Sequence, residues 1–258
     1  MAGGMNPPEL TVVQQAVLKR MLTLELPSGA RVLDAPCGGT AALTLALIEQ
    51  GFDAVGADVD AEAETRLGQA FAKVNLDEAF PWPDGTFDAA ISTEGIEHLE
   101  NHFLFLREMC RILKPGGLLI LTTPNITALR SRVRFFGSGF FGRDALPLNE
   151  TARHPLHHVG LATFAQLRYE LHNSGFRLVE VRHTHIKPVS YLYAIYAPWM
   201  WLYTRIAFRK EKDDAQRERN KEILATLLSP SVLFGECLML IARKSERAYR
   251  EKMSLQKD

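Results

Sequence analysis

Three cysteines, Cys37, Cys110 and Cys237, are all that 258 residues contain, and no two of them stand in a C-x-x-C pair. An odd, scattered set excludes a disulfide scaffold and a cysteine-based zinc site, and it predicts a reducing compartment, the cytoplasm. Neither sign of charge is in excess: 30 Lys and Arg face 30 Asp and Glu, a formal net charge of +0. Nucleic-acid binders carry a basic surplus against phosphate, so no nucleic-acid partner is expected. The opening residues, Met1 to Leu10, are Gly/Pro-rich and polar and predict no secretory leader. Val189–Tyr203 is apolar and aromatic, but at about 15 residues with Pro198 inside it falls short of the ~20 that cross a bilayer. What remains, 47% hydrophobic and 23% charged residues, is the composition of a globular chain able to bury one substantial α/β core.

Among what is present, Arg31-Val-Leu-Asp-Ala-Pro-Cys-Gly-Gly-Thr40 is the most informative stretch. An apolar run ends there in an acid, Asp34, followed by a loop of small residues. A second apolar run, Ala54-Val-Gly-Ala-Asp58, ends in another acid roughly 20 residues on, the spacing at which strand-end carboxylates take ribose hydroxyls in nucleotide-binding βαβ units. Neighbouring parallel strands open on one crevice at their carboxyl ends, so Asp34 and Asp58 can face one ligand. Simple strand-end capping is the bland alternative for both. A dinucleotide would want a glycine-rich turn for its pyrophosphate, and Pro36 stands at the first glycine of G-x-G-x-x-G. Proline fixes φ and has no N–H, which argues against a phosphate there and so against an NAD-dependent oxidoreductase. A nucleoside without phosphates suits the loop better.

Val32-Leu-Asp-Ala-Pro-Cys-Gly-Gly-Thr40 resembles the first motif of the class I S-adenosylmethionine-dependent methyltransferases, apolar-apolar-Asp-x-Gly-x-Gly-x-Gly. Pro36 and Thr40 replace the outer glycines, and Gly38 keeps the middle one. Asn75-Leu76 lies where the family's adenine-binding motif falls, and Trp82-Pro-Asp-Gly-Thr-Phe-Asp88 resembles the lead into its fourth strand. Ile96-Glu-His-Leu99 follows that strand, and Leu113–Pro124 resembles the turn and fifth strand. These signals arrive in the family's order over residues 30–125. The resemblance implies a doubly wound, mostly parallel seven-stranded Rossmann-like sheet with an antiparallel last strand. It also implies one domain over residues 1–258, with a cofactor-binding half at about 25–125.

Periodicity read along the chain gives the same alternation. Helical spacing marks Glu9–Leu24, as a helix packed on the sheet or lidding the cofactor, and Thr40–Gln50, stopped by Gly51. Strands are expected at Arg31–Leu33, Phe52–Ala57, Ala72–Asn75, Phe87–Ser92 and Leu118–Thr122, with a helix at Asn101–Leu113. A helix at Thr163–Asn173 and a strand at Phe176–His183 follow, and the last strand falls at Phe234–Arg243. The βαβ alternation predicts a mostly parallel sheet flanked by helices. Two insertions, at about 126–160 and 187–232, are expected beside the carboxyl ends of the strands, where substrate specificity is built. The first carries Arg130, Arg132, Arg134 and Arg143 among Phe135, Phe136, Phe140 and Phe141. In the second, Val189–Tyr203 suits a membrane interface, as a peripheral contact, or a lipid-like substrate groove; the alternative is a helix packed on the core or on a dimer partner. The charged run Arg209–Glu222 reads as a solvated helical face.

The resemblance implies S-adenosylmethionine as cofactor and S-adenosylhomocysteine as product. It assigns both ribose hydroxyls to Asp58, and the loop or the methionine amine to Asp34. Ala35, Pro36, Cys37 and Gly38 form the loop, with Cys37 as a small packed residue. Val59, Asn75 and Leu76 frame the adenine, and Thr93 and Glu94 border the methionine part or serve the structure alone. A base is needed where the acceptor is a hydroxyl. His98 stands at the lip of the crevice, and His157 and His158, near His154, form a second candidate group facing substrate. No acid or cysteine near these histidines completes a ligand set, so no metal is expected. Residues 92–183 resemble the branch that methylates quinone rings and glycan- or lipid-linked intermediates. The expected reaction is methyl transfer to oxygen of a small-molecule or amphipathic acceptor, whose phosphate or carboxylate the arginines would take. A non-catalytic S-adenosylmethionine-binding protein is the alternative. A base methylase is disfavoured, because Ser92-Thr-Glu-Gly95 stands where an Asn/Asp-Pro-Pro-aromatic tetrad would. A monomer and a homodimer both remain open.

Overall fold

The computed structural model describes residues 8–141, 147–151 and 156–245. Seven strands, β1 (Arg31–Asp34), β2 (Asp53–Asp58), β3 (Phe71–Lys73), β4 (Phe87–Thr93), β5 (Leu113–Pro124), β6 (Phe176–His183) and β7 (Cys237–Lys244), form one sheet in the order β3-β2-β1-β4-β5-β7-β6. β7 runs antiparallel to both of its neighbours, and every other pairing is parallel. From β1 the order runs outward to β2 and β3 on one side and to β4 and β5 on the other. The connections therefore leave β1 and β4 in opposite directions, which opens a crevice above their carboxyl ends. Asp34 pairs with Gly56 on one side and Ile91 on the other, so the first acid ends at this switch point.

Central strands bury both faces, which explains their unbroken apolar runs. On one face α1 (Val12–Met21) packs Val17 and Met21 on Val32, Ala89 and Ile120, joined by Leu43 and Leu47 of α2 (Ala42–Glu49). Thr11 and Gln14 close α1 with a capping box, so it starts three residues later than the periodicity suggested. Past the short α3 (Glu64–Leu67), the other face takes α4 (His102–Ile112) and α6 (Phe164–Asn173), with Phe87, Phe105, Phe164 and Phe176 all buried. Each such side chain contributes roughly 1.5–3 kcal/mol by leaving water.

The insertions hold α5 (Leu129–Ser138) and, after a 3-10 segment at Pro188–Tyr196, α7 (Ala197–Phe208), α8 (Asp214–Leu227) and α9 (Pro230–Phe234). α9 displaces the expected start of the last strand: Ser229 caps it and Pro230 opens it, so β7 begins at Cys237 rather than at Phe234. α7 buries no residue, which removes the expected alternative of a helix packed on the core. α8 presents its charged face to solvent, with Arg168 paired to Glu222, while Ile223 and Leu227 touch the core. Arg143 and His154 lie outside the described residues.

Candidate active site

A cavity of about 700 Å³ sits at the switch point, lined by Pro36, Cys37, Gly38, Asp58, Val59, Asn75, Leu76, Thr93, Glu94 and His98 among others. Asp58 builds its floor. Its Oδ2 accepts the Gly38 N–H at 2.8 Å and its Oδ1 the Asp60 N–H at 3.1 Å, so one carboxylate ties the β1 loop to the end of β2. Gly38 holds φ +66°, left-handed backbone that glycine adopts without cost. A Cβ on Gly95 would overlap the Pro36 ring, so glycine lets the two loops meet. Asn75 is held by its own turn, its amide donating to Glu78 and accepting from the Asp77 N–H. Asp34 and Ala35 are fully buried beneath the cavity and do not line it. Asp34 Oδ2 accepts the Thr44 hydroxyl at 2.7 Å, which anchors α2, while Oδ1 has no protein partner. Burial pushes this carboxyl up to about 7, against the Thr44 hydrogen bond.

A second cavity, about 400 Å³, opens beside the first and is lined by Glu94, Asn125, Arg130, Arg134, Phe141, His158, His185, Lys187, Ser190 and Glu236 among others. Glu94 lines both cavities and forms part of the wall between them. It holds φ +49°, a strained backbone for a side chain of this kind, fixed by its N–H donating to Thr122. The Cys237 thiol donates to Glu94 Oε1 at 3.5 Å; burial, then the nearby Glu94 carboxylate, push that thiol up to about 12. Of the four arginines expected to take an acceptor anion, three lie in the described residues, and Arg130 is paired with Glu236 at 2.8 Å. Arg132 turns inward to the Thr127 carbonyl and Met200. Arg134 makes no ion pair among the described residues and lines the cavity. Lys187, from the other insertion, joins Arg130 on Glu236 at 2.7 Å. Burial raises the Glu236 carboxyl, but the Lys187 ammonium and Arg130 guanidinium outweigh it and hold it below the ordinary range.

Above β4 the histidines meet an acid that the sequence reading passed over. Glu97 is buried, its Oε2 accepting the Thr123 hydroxyl at 3.0 Å and its Oε1 without a protein partner. Burial pushes it up to about 7. Ligand-capable atoms of Glu97, His98 and His158 lie within 4.8 Å of one another, so the acid missing from the sequence-level argument against a metal is supplied by the fold. His98 Nδ1 lies 3.2 Å from the His157 carbonyl, which can only accept; the proton therefore sits on Nδ1 and the neutral ring leaves Nε2 bare. His157 contributes this carbonyl and lines neither cavity. His158 packs edge-on to His98 at 4.8 Å, and burial and that neighbour lower its pKa. Glu97 stood next to His98 in the sequence, and burial was the missing signal. Lys187 and His185 gave no local signal, since only the packing of the second insertion brings them to the cavity.

The sequence pattern of the family described as "Methyltransferase domain" matches residues 11–181, two thirds of the chain. The chain belongs to this methyltransferase family. S-adenosylmethionine is its cofactor, and the cavity at the switch point fits that group: the volume lies in the range of small-ligand sites, a strand-end carboxylate faces it, and the buried Thr93 Oγ1 on its wall has no protein partner. A 2-methyl-6-phytyl-1,4-hydroquinone methyltransferase of Synechocystis sp. is 31% identical over 107 residues, 39% of this chain and 34% of that protein. A ubiquinone biosynthesis O-methyltransferase of Xanthomonas axonopodis is 27% identical over 169 residues, 60% of this chain and 66% of that protein. The matched regions thus span from about a third to two thirds of these relatives. A SAM-dependent methyltransferase structure from Archaeoglobus fulgidus shares the fold, with TM-score 0.52, 20% identity, and coverage of 90% of this chain and 94% of that one.

Proposed function

We propose that the chain transfers a methyl group from S-adenosylmethionine to a hydroxyl of a small amphipathic acceptor, with an anionic or strongly polar group near the reacting ring. The observation that carries this reading is the pair of cavities that share Glu94, one at the switch point and one basic, with the Glu97–His98–His158 group touching both. Bound S-adenosylmethionine supplies an already activated methyl on a sulfonium, so the protein's task is alignment and exclusion of water. Asp58 accepts the ribose hydroxyls, Val59, Asn75 and Leu76 frame the base, and Thr93 and Glu94 border the methionine part. His98 Nε2 removes the acceptor's proton, and the Glu97 carboxylate and His158 stabilise the imidazolium that forms. Arg134 and Lys187 hold the acceptor's anionic or polar group. A relative named for a phytyl hydroquinone supports a ring that carries an apolar tail, and one named as a ubiquinone biosynthesis O-methyltransferase supports oxygen as the atom methylated.

Calorimetric titration of S-adenosylmethionine and its demethylated product, with NAD as control, tests the donor site in wild type and Asp58→Ala. Micromolar binding that the variant loses is expected; preference for NAD overturns the reading. A screen of catechols and hydroquinones, with and without alkyl tails, then tests the acceptor, and binding without turnover favours a non-catalytic binder. The convergence of Glu97, His98 and His158 favours a second reading, in which the three hold a divalent cation against the acceptor oxygen. Titration of Zn²⁺ and Mg²⁺ into wild type and His158→Ala separates the two.

A further inference from the structure

The exposed apolar side chains are concentrated on one part of the surface. Along the 3-10 segment and α7, Leu192 (75% exposed), Ile195 (78%), Trp199 (66%), Tyr203 (67%) and Ile206 (52%) recur at helical spacing. Phe136 of α5 is 92% exposed, and Arg132 of α5 reaches Met200 of α7 at 3.4 Å, so the two insertions form one surface. That surface is basic in a chain whose net charge is zero. Residues 187–210 contain Lys187, Arg205, Arg209 and Lys210 and no carboxylate; α5 contains three arginines and none either. Glu236 answers Arg130 and Lys187, but Arg134, Arg205, Arg209 and Lys210 make no ion pair among the described residues.

We infer that this face docks on an anionic phospholipid surface. Trp and Tyr with apolar bodies and one polar edge suit the headgroup boundary, and unpaired Lys and Arg beside them suit acidic lipid. Among the described residues no helix is long and apolar enough to cross a bilayer, so the segment lies on the membrane. A second copy of the chain is a poor occupant: a two-fold contact would press the same unpaired cations against each other, and residues 187–210 and α5 hold no carboxylate to set between them. Continuity gives the face its purpose. Lys187 and Arg134 belong both to it and to the wall of the second cavity, whose 400 Å³ admits a polar ring but not a long tail. An acceptor can present its head to the cavity while its tail stays in the bilayer. This delivery role rests on the proposed acceptor; the docking does not.

The test is co-sedimentation of the full chain with vesicles of phosphatidylcholine alone and of phosphatidylcholine with roughly 30% phosphatidylglycerol, at low and high salt. Binding at least ~10-fold stronger to the acidic vesicles, weakened by salt, is expected. Ile195→Ser combined with Trp199→Ser and, separately, Arg205→Glu with Arg209→Glu should each abolish it. S-adenosylmethionine titration of the same variants should match wild type, which shows that they fold and keeps failure of docking distinct from failure of the methyltransferase reading. Equal binding to both vesicles, no binding, or a homodimer that Ile195→Ser dissociates would overturn the inference.

Discussion

The two cavities that share Glu94 are built by opposite means. The switch-point cavity is made of strand ends and tight loops: Asp58 pinned by two backbone N–H groups, Gly38 in left-handed backbone, Asn75 tied into its own turn. Its donors and acceptors are set by a sheet that cannot shift without losing its core. The second cavity is made of long side chains from α5 and from the segment before α7, separated by more than fifty residues of sequence and joined through Glu236. A ligand held mainly by backbone and strand-end carboxylates is common to a family. A wall of arginine and lysine on mobile stems, carried by insertions, can change without disturbing the sheet.

The sharpest test of that division is the acid–histidine group lying between the two halves. His98→Ala should lower kcat by roughly 10²-fold or more while leaving donor affinity near wild type, measured by steady-state kinetics and calorimetry. Glu97 binds its proton up to about pH 7, so its charged form, which stabilises the imidazolium, appears only above that pH. kcat should therefore rise with pH through about 7, and Glu97→Gln should remove the part of that limb that follows Glu97, leaving only the dependence of the base itself. A flat wild-type profile would break the assignment. Asp58→Ala should weaken S-adenosylmethionine by roughly 100-fold, since both ligand hydrogen bonds to a charged group and the loop anchor are lost, while the second cavity keeps its shape.

Smaller effects sharpen the comparison from the other side. Arg134→Ala should raise the acceptor KM by roughly 10-fold with donor affinity unchanged, because a charged hydrogen bond is removed from one cavity only. Equal loss of both ligands would show that the halves are not independent. The least effect concerns Asp34. Its folded pKa, about 7, lies above the ordinary 3.8, so the folded state holds the proton more tightly than the unfolded one. Its stabilising contribution is present below pH 4 and lost as pH rises through about 7, so Tm should fall over that window. Asp34→Asn should remove that part of the slope in a thermal melt.

The strands around the switch point were legible because their signals are local. An apolar run that ends in an acid, followed by small residues, specifies a strand, its direction and a loop within about ten positions, and β1, β2, β4 and β6 fall within a residue or so of where periodicity puts them. The resemblance added a seven-stranded, doubly wound sheet with an antiparallel last strand, and the structure supplied the strand order. Errors arose where a short-range cap competed with the pattern: Ser229-Pro230 turned the expected start of the last strand into α9, and Thr11 shortened α1. For Asp34 the sequence offered two roles, and the structure shows it tying Thr44 under the loop.

Hydrophobic periodicity, read from the sequence by itself, determined a mostly parallel sheet flanked by helices, because burial of both sheet faces leaves few other ways to satisfy those runs; the doubly wound arrangement came from the family resemblance, and the place of the crevice, above β1 and β4, from the strand order. Tertiary structure alone decided which of the arginines line the second cavity, that buried Glu97 meets His98 and His158, and that the rest of the chain does not bury the aromatic helix. Those outcomes depend on which distant side chains compensate one another's charge and desolvation, a competition that is settled only when the insertions pack.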